Sequence, residues 1–278
     1  MNENTRKILE KCMTIEAFMR LSPDERTELL KEENGKMLST KNSFLGKADD
    51  VRFEIFDLPC LLTCPERTDI CEKSCYEISV EKMHKGEGRD SAIVIHRKMN
   101  WFLSLQDDFV DKMVRKLERL RPKPGQQIYV RLHASGDFYS EEYLRKWMKI
   151  ALRLRLKGKD YVFSAYTKSL IILDHVLSDQ KKLAELYAEA YEEIMNEAPP
   201  MKREPYRLED FNLHIIGSLM DDSEKEQNKI SIIDKYSLPK YIATDQMEKV
   251  NMDCSRITCA ECKRCYTFPM KNVCSELR

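Results

Sequence analysis

The residues of this chain most able to do chemistry are its cysteines, which fall into two short groups. Nine of the ten cysteines belong to these groups, and the tenth, Cys12, lies among apolar residues at helical spacing and is expected in the core. Thiols at this density usually bind metal or form disulfides. The groups comprise Cys60, Cys64, Cys71 and Cys75 in the N-terminal half, and Cys254, Cys259, Cys262, Cys265 and Cys274 near the C-terminus.

Composition limits the class of protein. The chain has 278 residues, and its 47 Lys and Arg balance its 47 Asp and Glu, so net charge indicates neither nucleic acid nor an anionic membrane as partner. No apolar stretch follows residues 1–7, and none approaches the ~20 residues of a spanning helix, so we expect no signal peptide and no membrane partner. These features predict a cytoplasmic protein, in which reducing conditions favour metal or redox chemistry over structural disulfides.

The second cysteine group has the compact spacing C-x4-C-x2-C-x2-C. Several thiolates from one short segment can wrap a cubane iron–sulfur cluster, because each iron needs one soft ligand and the corners lie close together. Structural zinc more often takes two C-x2-C pairs that are well separated in sequence. We therefore predict a 4Fe-4S cluster rather than zinc knuckles that staple two loops, with Cys274 a spare thiol. The predicted ligands are Cys254, Cys259, Cys262 and Cys265.

The first cysteine group has the spacing C-x3-C-x6-C-x3-C. Three ligands, Cys64, Cys71 and Cys75, would leave one iron open to the amino and carboxylate groups of a substrate or cofactor. Cys60 as a fourth ligand would close the cluster, which would then mainly store or relay electrons. We take the three-cysteine arrangement as a catalytic 4Fe-4S cluster and Cys60 as an optional ligand.

Strands and helices alternate along the chain. Apolar residues at alternate positions predict a strand at 51–58, directly before the first cysteine group. Further strands are predicted at 127–133, 160–167 and 212–219, with weaker ones at 229–233 and 241–244. Helices are predicted at 4–33 (two, the second starting at Ser22), 91–120 (with a restart at Ser104), 140–156, 168–178 and 180–196.

This alternation predicts βαβ units and a parallel sheet with right-handed crossovers. Six strands suit an α/β fold built as a partial (βα)6 TIM-like barrel. We expect N-terminal helices and a connector in 1–50, the barrel in 51–245, and a C-terminal cysteine-rich cluster segment in 246–278. In such barrels the chemistry gathers at the carboxyl ends of the strands.

Unusual polar residues fall at those strand ends. Arg131 and His133 lead into the turn Ser135-Gly136-Asp137, and all three charged or titratable side chains are candidates for catalysis. Arg131 is expected to point into the barrel, where it needs a carboxylate from Asp57 or a cofactor. The alternatives are a hydrogen-bonded structural role for His133 and a helix-capping role for Asp137. The candidate cofactor-binding residues are Ser135, Gly136, Asp137, Ser164, Tyr166, Thr167 and Ser218.

Two further features concern charge. Lys168 follows the third strand and is placed to reach an anionic group. His96, Arg97 and Asn100 share a helical face at spacings of three and four. We expect that face on the surface rather than over the first cysteine group.

The order of these features resembles the radical-SAM superfamily. There too, a first strand leads into a cysteine loop, and a Gly-Gly-Glu turn after the second strand binds the amino group of S-adenosylmethionine. The resemblance implies that Ser135-Gly136-Asp137 is the counterpart of that turn, with Asp137 as the acid. The spacing differs, because six residues lie between Cys64 and Cys71 and three lie between Cys71 and Cys75, whereas the superfamily typically has C-x3-C-x2-C.

The chain more closely resembles a phage-associated family known as gene product 88. That family has a similar Cys-Pro…Cys-x3-Cys-Tyr loop, a Ser-Gly-Asp-Phe turn and a C-terminal cysteine-rich tail. Here these motifs begin at Cys64-Pro65, at Ser135 and at Cys254, and the similarity extends over roughly residues 40–268.

The radical-SAM resemblance implies an iron–sulfur enzyme with S-adenosylmethionine as cofactor. It would cleave S-adenosylmethionine reductively at the first 4Fe-4S cluster and start radical chemistry on an unknown substrate, with the second cluster auxiliary. It would need an electron donor such as ferredoxin or flavodoxin. Two alternatives are a zinc-stapled module that binds nucleic acid or protein, and a two-cluster electron-transfer or sensor protein.

Overall fold

The computed structural model describes residues 8, 17, 20–26, 28, 37–40, 45–46, 48–83, 92–200, 205–220, 226–244, 257–266 and 273–276. At its centre is one β-sheet of six strands. The strands are β1 Val51–Phe56, β2 Gln127–Leu132, β3 Tyr161–Thr167, β4 Leu213–Leu219, β5 Lys240–Thr244 and β6 Val273–Glu276.

Each strand pairs in parallel with the next strand along the chain, so the sheet order is β1-β2-β3-β4-β5-β6. Within the described ranges β1 and β6 do not pair with each other, and the sheet is open. The predicted parallel α/β architecture is therefore confirmed. The strands expected at 51–58, 127–133, 160–167 and 212–219 are all present with nearly the predicted bounds.

The helices connect the strands. The predicted interruption near Ser104 is confirmed, because one helix ends at that residue and the next begins at Phe109. No helix within the described ranges combines the length and hydropathy needed to cross a bilayer. The helices are α1 Asp69–Ser74, α2 Tyr76–Met83, α3 Ala92–Ser104, α4 Phe109–Glu118, α5 Glu141–Leu156, α6 Leu170–Ser178, α7 Gln180–Met195, α8 Gln227–Lys235 and α9 Cys259–Cys262.

Local capping signals explain where two helices begin. Ser140 accepts a hydrogen bond from the Tyr143 N–H at 3.2 Å and so caps α5. Ser22 and Glu25 form a reciprocal capping box, with N–H···O distances of 2.9 and 3.2 Å, and residues 23–26 are helical. The rest of the two helices predicted at 4–33 falls largely outside the described residues.

One predicted strand is wrong. Residues 229–233 lie in α8, which buries Lys229, Ile232 and Ile233 on one face. A short apolar run fits either period, and here the spacing of three and four prevails. The sixth strand is β6, which contains Cys274 and pairs with β5.

The two faces of the sheet are covered differently. Right-handed crossovers between consecutive parallel strands place the intervening helices on the same face. Accordingly, helices α3 to α8 pack on one face in a large core that includes Val130, Phe163 and Ile215. The other face has a smaller core without these helices, in which the second cysteine group packs on the strands. Its members include Phe53, Tyr129, Ile216, Ala260, Cys265 and Tyr266.

Candidate functional site

The first cysteine group lies in a loop that leaves the carboxyl end of β1 and that includes the short helix α1, in which Cys71 lies. The Leu58 N–H donates to the Ser135 carbonyl at 3.0 Å, which ties the loop to the end of β2. The buried Thr63 hydroxyl donates to the Pro59 carbonyl at 2.7 Å. Leu61 has a φ of 62°, a left-handed conformation that is costly for a bulky side chain. The surrounding contacts therefore hold this loop in one defined conformation.

The four cysteines of this loop interact with one another. The thiols of Cys60 and Cys75 interact, which lowers the pKa of Cys75 and raises the pKa of Cys60. The pKa of Cys64 rises to about 12, mainly through burial and then through the charges of Asp137, Cys71 and Cys75. Burial also raises the pKa of Cys71. All four predicted ligands thus share one neighbourhood beside Asp137.

Asp137 holds three hydrogen bonds within the protein. Its Oδ1 accepts from the Phe138 N–H at 2.7 Å and from the Thr167 hydroxyl at 2.5 Å, and its Oδ2 accepts from the Lys168 N–H at 2.8 Å. Burial raises the pKa of Asp137, and these donors oppose the rise. The carboxylate therefore joins the turn after β2 to the end of β3. The cap of α5 is Ser140, so the helix-capping alternative for Asp137 is wrong.

The rest of the Ser135-Gly136-Asp137 turn presses against the cysteine loop. Gly136 has a φ of 82°, and a Cβ at this position would lie 2.6 Å from side-chain atoms of Leu58 and Thr63. The Ser135 N–H donates to Asp57 Oδ1 at 3.0 Å, whereas the Ser135 hydroxyl is buried without a partner. The close approach of the turn to the loop therefore requires glycine at position 136. The Ser135 hydroxyl remains unpaired beside the loop.

His133 lies in the core between β2 and α5. It is only 4% exposed, and its Nε2 lies 2.9 Å from the Tyr143 hydroxyl. Its ring meets the Phe138 ring edge-on at 4.6 Å. Burial lowers its pKa to about 3, so the ring is neutral at physiological pH. These contacts favour the hydrogen-bonded structural role that was one of the two interpretations.

Arg131 lies between the two cysteine groups. Its guanidinium carbon is 4.9 Å from the centre of the Tyr166 ring. Its charge opposes the rise that burial causes in the pKa of Cys259 and in the pKa of Tyr266. In the described part of the chain it forms no ion pair with a carboxylate. Asp57, the expected partner, instead accepts the backbone N–H of the turn after β2. The surroundings of the guanidinium are therefore phenols and thiols.

Of the remaining candidate residues on β3 and β4, three form side-chain contacts and Ser164 does not. Ser164 is buried, and its hydroxyl has no partner. The Tyr166 hydroxyl lies 2.6 Å from Cys265 Sγ. Lys168 Nζ donates to the Ser218 hydroxyl at 2.9 Å. The structure thus places Thr167 with Asp137, Tyr166 with the second cysteine group and Ser218 with a lysine.

The second cysteine group packs onto the face of the sheet that the helices leave open. Its short helix α9 begins at a capping box of Thr258 and Glu261, with an N–H···O distance of 3.1 Å. The Ala260 N–H donates to the Leu45 carbonyl at 2.8 Å. The rings of Tyr266 and Tyr129 stack at 4.4 Å. Cys265 is buried, Cys259 and Cys262 are partly buried, and Cys254 lies outside the described residues.

Sequence reasoning missed a buried charge network behind the first loop. Arg97 is 5% exposed and donates to the carboxylates of Glu77 and Glu81, the latter at 2.9 Å. The Cys60 N–H donates to the same Glu81 oxygen at 3.3 Å. The surface prediction for Arg97 is therefore wrong, because two acids one helical turn apart just after the loop supply its counter-charge.

Asn100, on the same helical face, is also buried. Its side-chain amide donates to the carbonyl of Asp57 at 2.9 Å and to that of Met37 at 3.3 Å. His96 is partly buried. The surface prediction is therefore wrong for Asn100 as well, because the amide satisfies backbone carbonyls at the end of β1.

A second missed residue, Glu66, docks the loop onto the helices. Its carboxylate accepts the N–H groups of Ile171 and Ile172 in the first turn of α6, each at 3.0 Å. Lys229 Nζ donates to the Glu66 carbonyl at 2.8 Å. A carboxylate is favourable at a helix N-terminus, where unpaired N–H groups point outward. The contact joins residues 105 positions apart, so local sequence carries no sign of it.

Known proteins resemble this chain over the region that contains these motifs. The family model described as "Gene product 88" matches residues 27–268. The chain belongs to the gene product 88 family. The matched range contains the first cysteine loop, the Ser135-Gly136-Asp137 turn and the second cysteine group as far as Cys265.

Two phage proteins illustrate the relationship. The Gene 88 protein of Mycobacterium phage D29 is 28% identical over 113 residues, which are 38% of this chain and 42% of that protein. The Gene 88 protein of Mycobacterium phage L5 is 29% identical over 112 residues, which are 38% of this chain and 43% of that protein. The alignments therefore span less than half the length of either relative. No solved structure matches the chain.

The described cysteines are gathered into two groups. Among the side chains that the structure describes, no three His, Cys, Asp or Glu residues are arranged as a metal-ion site. In the first group, however, Cys60 and Cys75 interact, and the charges of Cys71 and Cys75 raise the pKa of Cys64. The family match includes these cysteines, and their proximity makes the first group the candidate functional site.

Proposed function

We propose that this member of the gene product 88 family is an iron–sulfur enzyme of radical-SAM type, built on a partial TIM-like barrel. The observation that carries the proposal is the position of the first loop. Cys64, Cys71 and Cys75 lie together at the carboxyl end of β1, beside the turn that contains Asp137. The parallel sheet with helices on one face supports the barrel, since chemistry in such folds gathers at that strand edge.

The donor set of the first loop fits a 4Fe-4S cluster. Cysteine thiolates are the usual ligands of such clusters, and three from one loop leave an iron for another ligand. Burial raises the pKa of Cys71, and the charge of Lys168 opposes that rise, so a cation already faces the thiols. The unpaired hydroxyl of Ser135 lies in the turn that presses on the loop. Cys64, Cys71 and Cys75 would hold the cluster, with Cys60 as the optional fourth ligand.

The side chains around the first loop would bind and orient the cofactor and shield it from water. When bound, the cluster supplies the electron that splits S-adenosylmethionine into methionine and a 5′-deoxyadenosyl radical, which abstracts hydrogen from the substrate. Asp137 holds the turn against β3 and so fixes the backbone that faces the loop. Lys168 and Ser218 offer donors to a carboxylate. Residues 257–266 pack on the face of the sheet that the helices leave uncovered and would exclude water there.

The C-terminal cysteines would hold the auxiliary cluster of this enzyme. The charge of Cys262 raises the pKa of Cys259, and the charges of Cys259 and Cys262 raise the pKa of Cys265, so the three thiols are near each other. Cys254 would complete the set. Electrons would come from a ferredoxin or flavodoxin in the cytoplasm, and the substrate is unknown.

A two-cluster electron-transfer or sensor protein is the second candidate. The observation that favours it is the interaction between Cys60 and Cys75, which brings a fourth thiol to the first site. With four ligands no iron is open to S-adenosylmethionine. The three internal donors on Asp137 point the same way, because they occupy the carboxylate that would receive the amino group.

Metal analysis of the anaerobically purified full chain tests the iron–sulfur part. Two 4Fe-4S clusters require about eight iron and about eight sulfide per chain. Cys64→Ala is expected to lose about half of the iron, whereas Cys12→Ala, a cysteine outside both groups, is expected to lose none. About two zinc and no iron per chain would contradict the proposal and leave a zinc-stapled binding module.

Product analysis separates the two iron–sulfur candidates. The reduced protein is incubated with S-adenosylmethionine, and 5′-deoxyadenosine is measured. The radical enzyme predicts product from the unmodified chain and from Cys60→Ala, and none from Cys64→Ala. Two full clusters without any 5′-deoxyadenosine would instead favour the electron-transfer or sensor protein.

A further inference from the structure

A buried arginine behind the first cysteine group contacts two acids at once. Arg97 on α3 is 5% exposed and donates to the carboxylates of Glu77 and Glu81, the latter at 2.9 Å. Both acids belong to α2, where a spacing of four residues places them on one face of the helix. A guanidinium presents its donors as a rigid fork, which suits two neighbouring carboxylates. Arg97 therefore fixes α2 against α3.

One of these acids also contacts the start of the cysteine loop. Glu81 Oε1, the oxygen that accepts from Arg97, accepts the Cys60 N–H at 3.3 Å. Asn100, on the same face of α3 as Arg97, donates to the Asp57 carbonyl at 2.9 Å. The start of the loop is thus held to α3 at two points, directly at residue 57 and through an acid at residue 60.

The other acid lies at the end of the loop. Helix α2 begins at Tyr76, immediately after Cys75, and Glu77 is in its first turn. Arg97 consequently joins the segment that follows Cys75 to the backbone of Cys60, and the thiols of these two cysteines interact. Bringing two ends of a loop together costs conformational entropy, which a buried contact to both ends offsets.

We propose that Arg97 is a positioning residue for the first cysteine group. Through Glu81 it holds the backbone of Cys60, and through Glu77 it holds the helix that follows Cys75, so that the first and last thiols of the loop stay together. This inference rests on the proposed function for the role of the site. Cys60 is the optional fourth ligand there, so the position set by Arg97 determines whether the first site presents three thiols or four.

Thiol–disulfide exchange in the metal-free chain measures this positioning. One cysteine thiolate attacks oxidised glutathione and displaces one glutathione, and the second cysteine then displaces the other. Two protein thiols become one disulfide, while one oxidised glutathione becomes two reduced molecules. The equilibrium constant is larger when the two thiols are held close together, because the second step is then intramolecular between positioned groups.

The parent for this test is the full chain with Cys64→Ala and Cys71→Ala. Its tryptic peptides 53–67 and 74–82 then contain one cysteine each, Cys60 and Cys75. Mass spectrometry of the linked and unlinked peptides, over a range of reduced to oxidised glutathione, gives the equilibrium constant for this pair alone. Urea unfolding of each metal-free chain shows separately whether it is folded.

Two sets of variants divide the contact into its parts. Arg97→Met is combined with Glu77→Gln, so that no buried carboxylate is left without its cation. Glu81→Leu removes the acceptor of the Cys60 N–H, whereas Glu81→Gln keeps an oxygen at that place. Both substitutions at position 81 leave Arg97 paired with Glu77.

Arg153→Met is the matched control. Arg153 is also a largely buried arginine that joins acids of two helices, with Asp111 of α4 at 2.6 Å and Glu193 of α7 at 3.6 Å. Its partners lie on helices away from the cysteine loop. It therefore reports the effect of losing such an arginine without touching the first cysteine group.

The equilibrium constant is expected to fall at least about tenfold in Arg97→Met with Glu77→Gln, and also in Glu81→Leu. Glu81→Gln and Arg153→Met are expected to stay within about twofold of the parent. Rescue by the glutamine would show that the hydrogen bond to Cys60 carries the effect, since a loss of general stability does not depend on that acceptor.

Three results would overturn the role of Arg97. One is an unchanged equilibrium constant in folded Arg97→Met with Glu77→Gln. Another is an equal loss in Glu81→Leu and Glu81→Gln, which decides the matter even if the Arg97 variant does not fold. The third is a loss in Arg153→Met as large as in the Arg97 variant. A chain without iron or 5′-deoxyadenosine formation would instead end the proposed function, and it would leave this metal-free measurement unaffected.

Discussion

Replacing Asp137 by asparagine tests how the site is assembled. Asp137→Asn exchanges one carboxylate oxygen for an NH2 group of the same size, while three donors face the side chain. The remaining oxygen can serve Phe138 and Thr167, which share Oδ1, but the Lys168 N–H then meets a donor. Hydrogen bonds to charged groups contribute about 1.5–3 kcal/mol, and an unmatched buried donor costs about 1–3 kcal/mol. We therefore expect the free energy of unfolding to fall by about 2–4 kcal/mol.

The assay is equilibrium urea unfolding of metal-free protein near neutral pH. Thr167→Val removes one of the same hydrogen bonds and is expected to cost about 1–2 kcal/mol. The double variant should lose less than the sum, because the two substitutions remove a shared contact. Asp107→Asn, at an exposed position, is the control and should stay within about 0.5 kcal/mol of the unmodified chain.

A small effect would refute this reasoning. If Asp137→Asn lost less than about 0.5 kcal/mol, as surface substitutions do, the carboxylate would not be holding β2 to β3. It would then be available to receive the amino group of a ligand. The experiment therefore also decides between a structural and a cofactor-binding role for the acid of the turn.

Three further predictions concern the loop and its supports. Glu66→Gln, which keeps an acceptor at the start of α6, should lower the free energy of unfolding by about 0.5–1 kcal/mol, and Glu66→Ala by about 1–2 kcal/mol; equal losses in urea unfolding would mean that the contact contributes no capping hydrogen bond. Gly136→Ala should cost more than about 2 kcal/mol, because its Cβ would overlap the loop. Gly125→Ala shares the positive φ but has open space around it, so similar losses in the two variants would exclude packing as the cause. Burial lowers the pKa of His133 to about 3 in the folded protein, whereas an exposed histidine has a pKa of about 6.5. Below about pH 6.5 the unfolded protein therefore binds a proton at this histidine that the folded protein does not bind. The contribution of the neutral ring to stability is complete above about pH 6.5 and decreases as the pH falls. Urea unfolding should show a loss of about 1.4 kcal/mol at pH 5.5 that is absent in His133→Asn, and the same pH dependence in both chains would show that His133 is not held neutral.

Much of the fold was predictable because its signals are local. The strands β1 to β4 carry apolar residues whose burial depends only on strand period and face, and their predicted bounds are nearly those observed. Ser140 and the Ser22–Glu25 pair indicate where helices begin, because a capping side chain bonds to a backbone N–H only three residues further along the chain. The family could be inferred for a similar reason, since its motifs are short and contiguous.

Predictions failed where two structures share one local pattern. Residues 229–233 fit a strand by composition, but the buried face of α8 uses helical spacing. Arg97 looked like a surface residue because its acidic partners lie on a different helix. The role of Glu66 could not be predicted, because its carboxylate accepts backbone N–H groups about a hundred residues away. Backbone N–H groups occur whatever the side chains are, so the sequence does not mark them as partners.

The amino-acid sequence by itself determined that the chain has two dense thiol groups, an alternating α/β body and a strand-end turn of serine, glycine and aspartate. These are properties of residue type, spacing and period, which need no knowledge of distant neighbours. Tertiary structure alone decided that the C-terminal cysteines pack on the face opposite the helices, where Arg131 meets Cys259 and Tyr166. It also decided that Asp137 bonds to the end of β3. Such contacts arise from sheet register and the direction of crossovers, which bring together side chains that local sequence cannot relate.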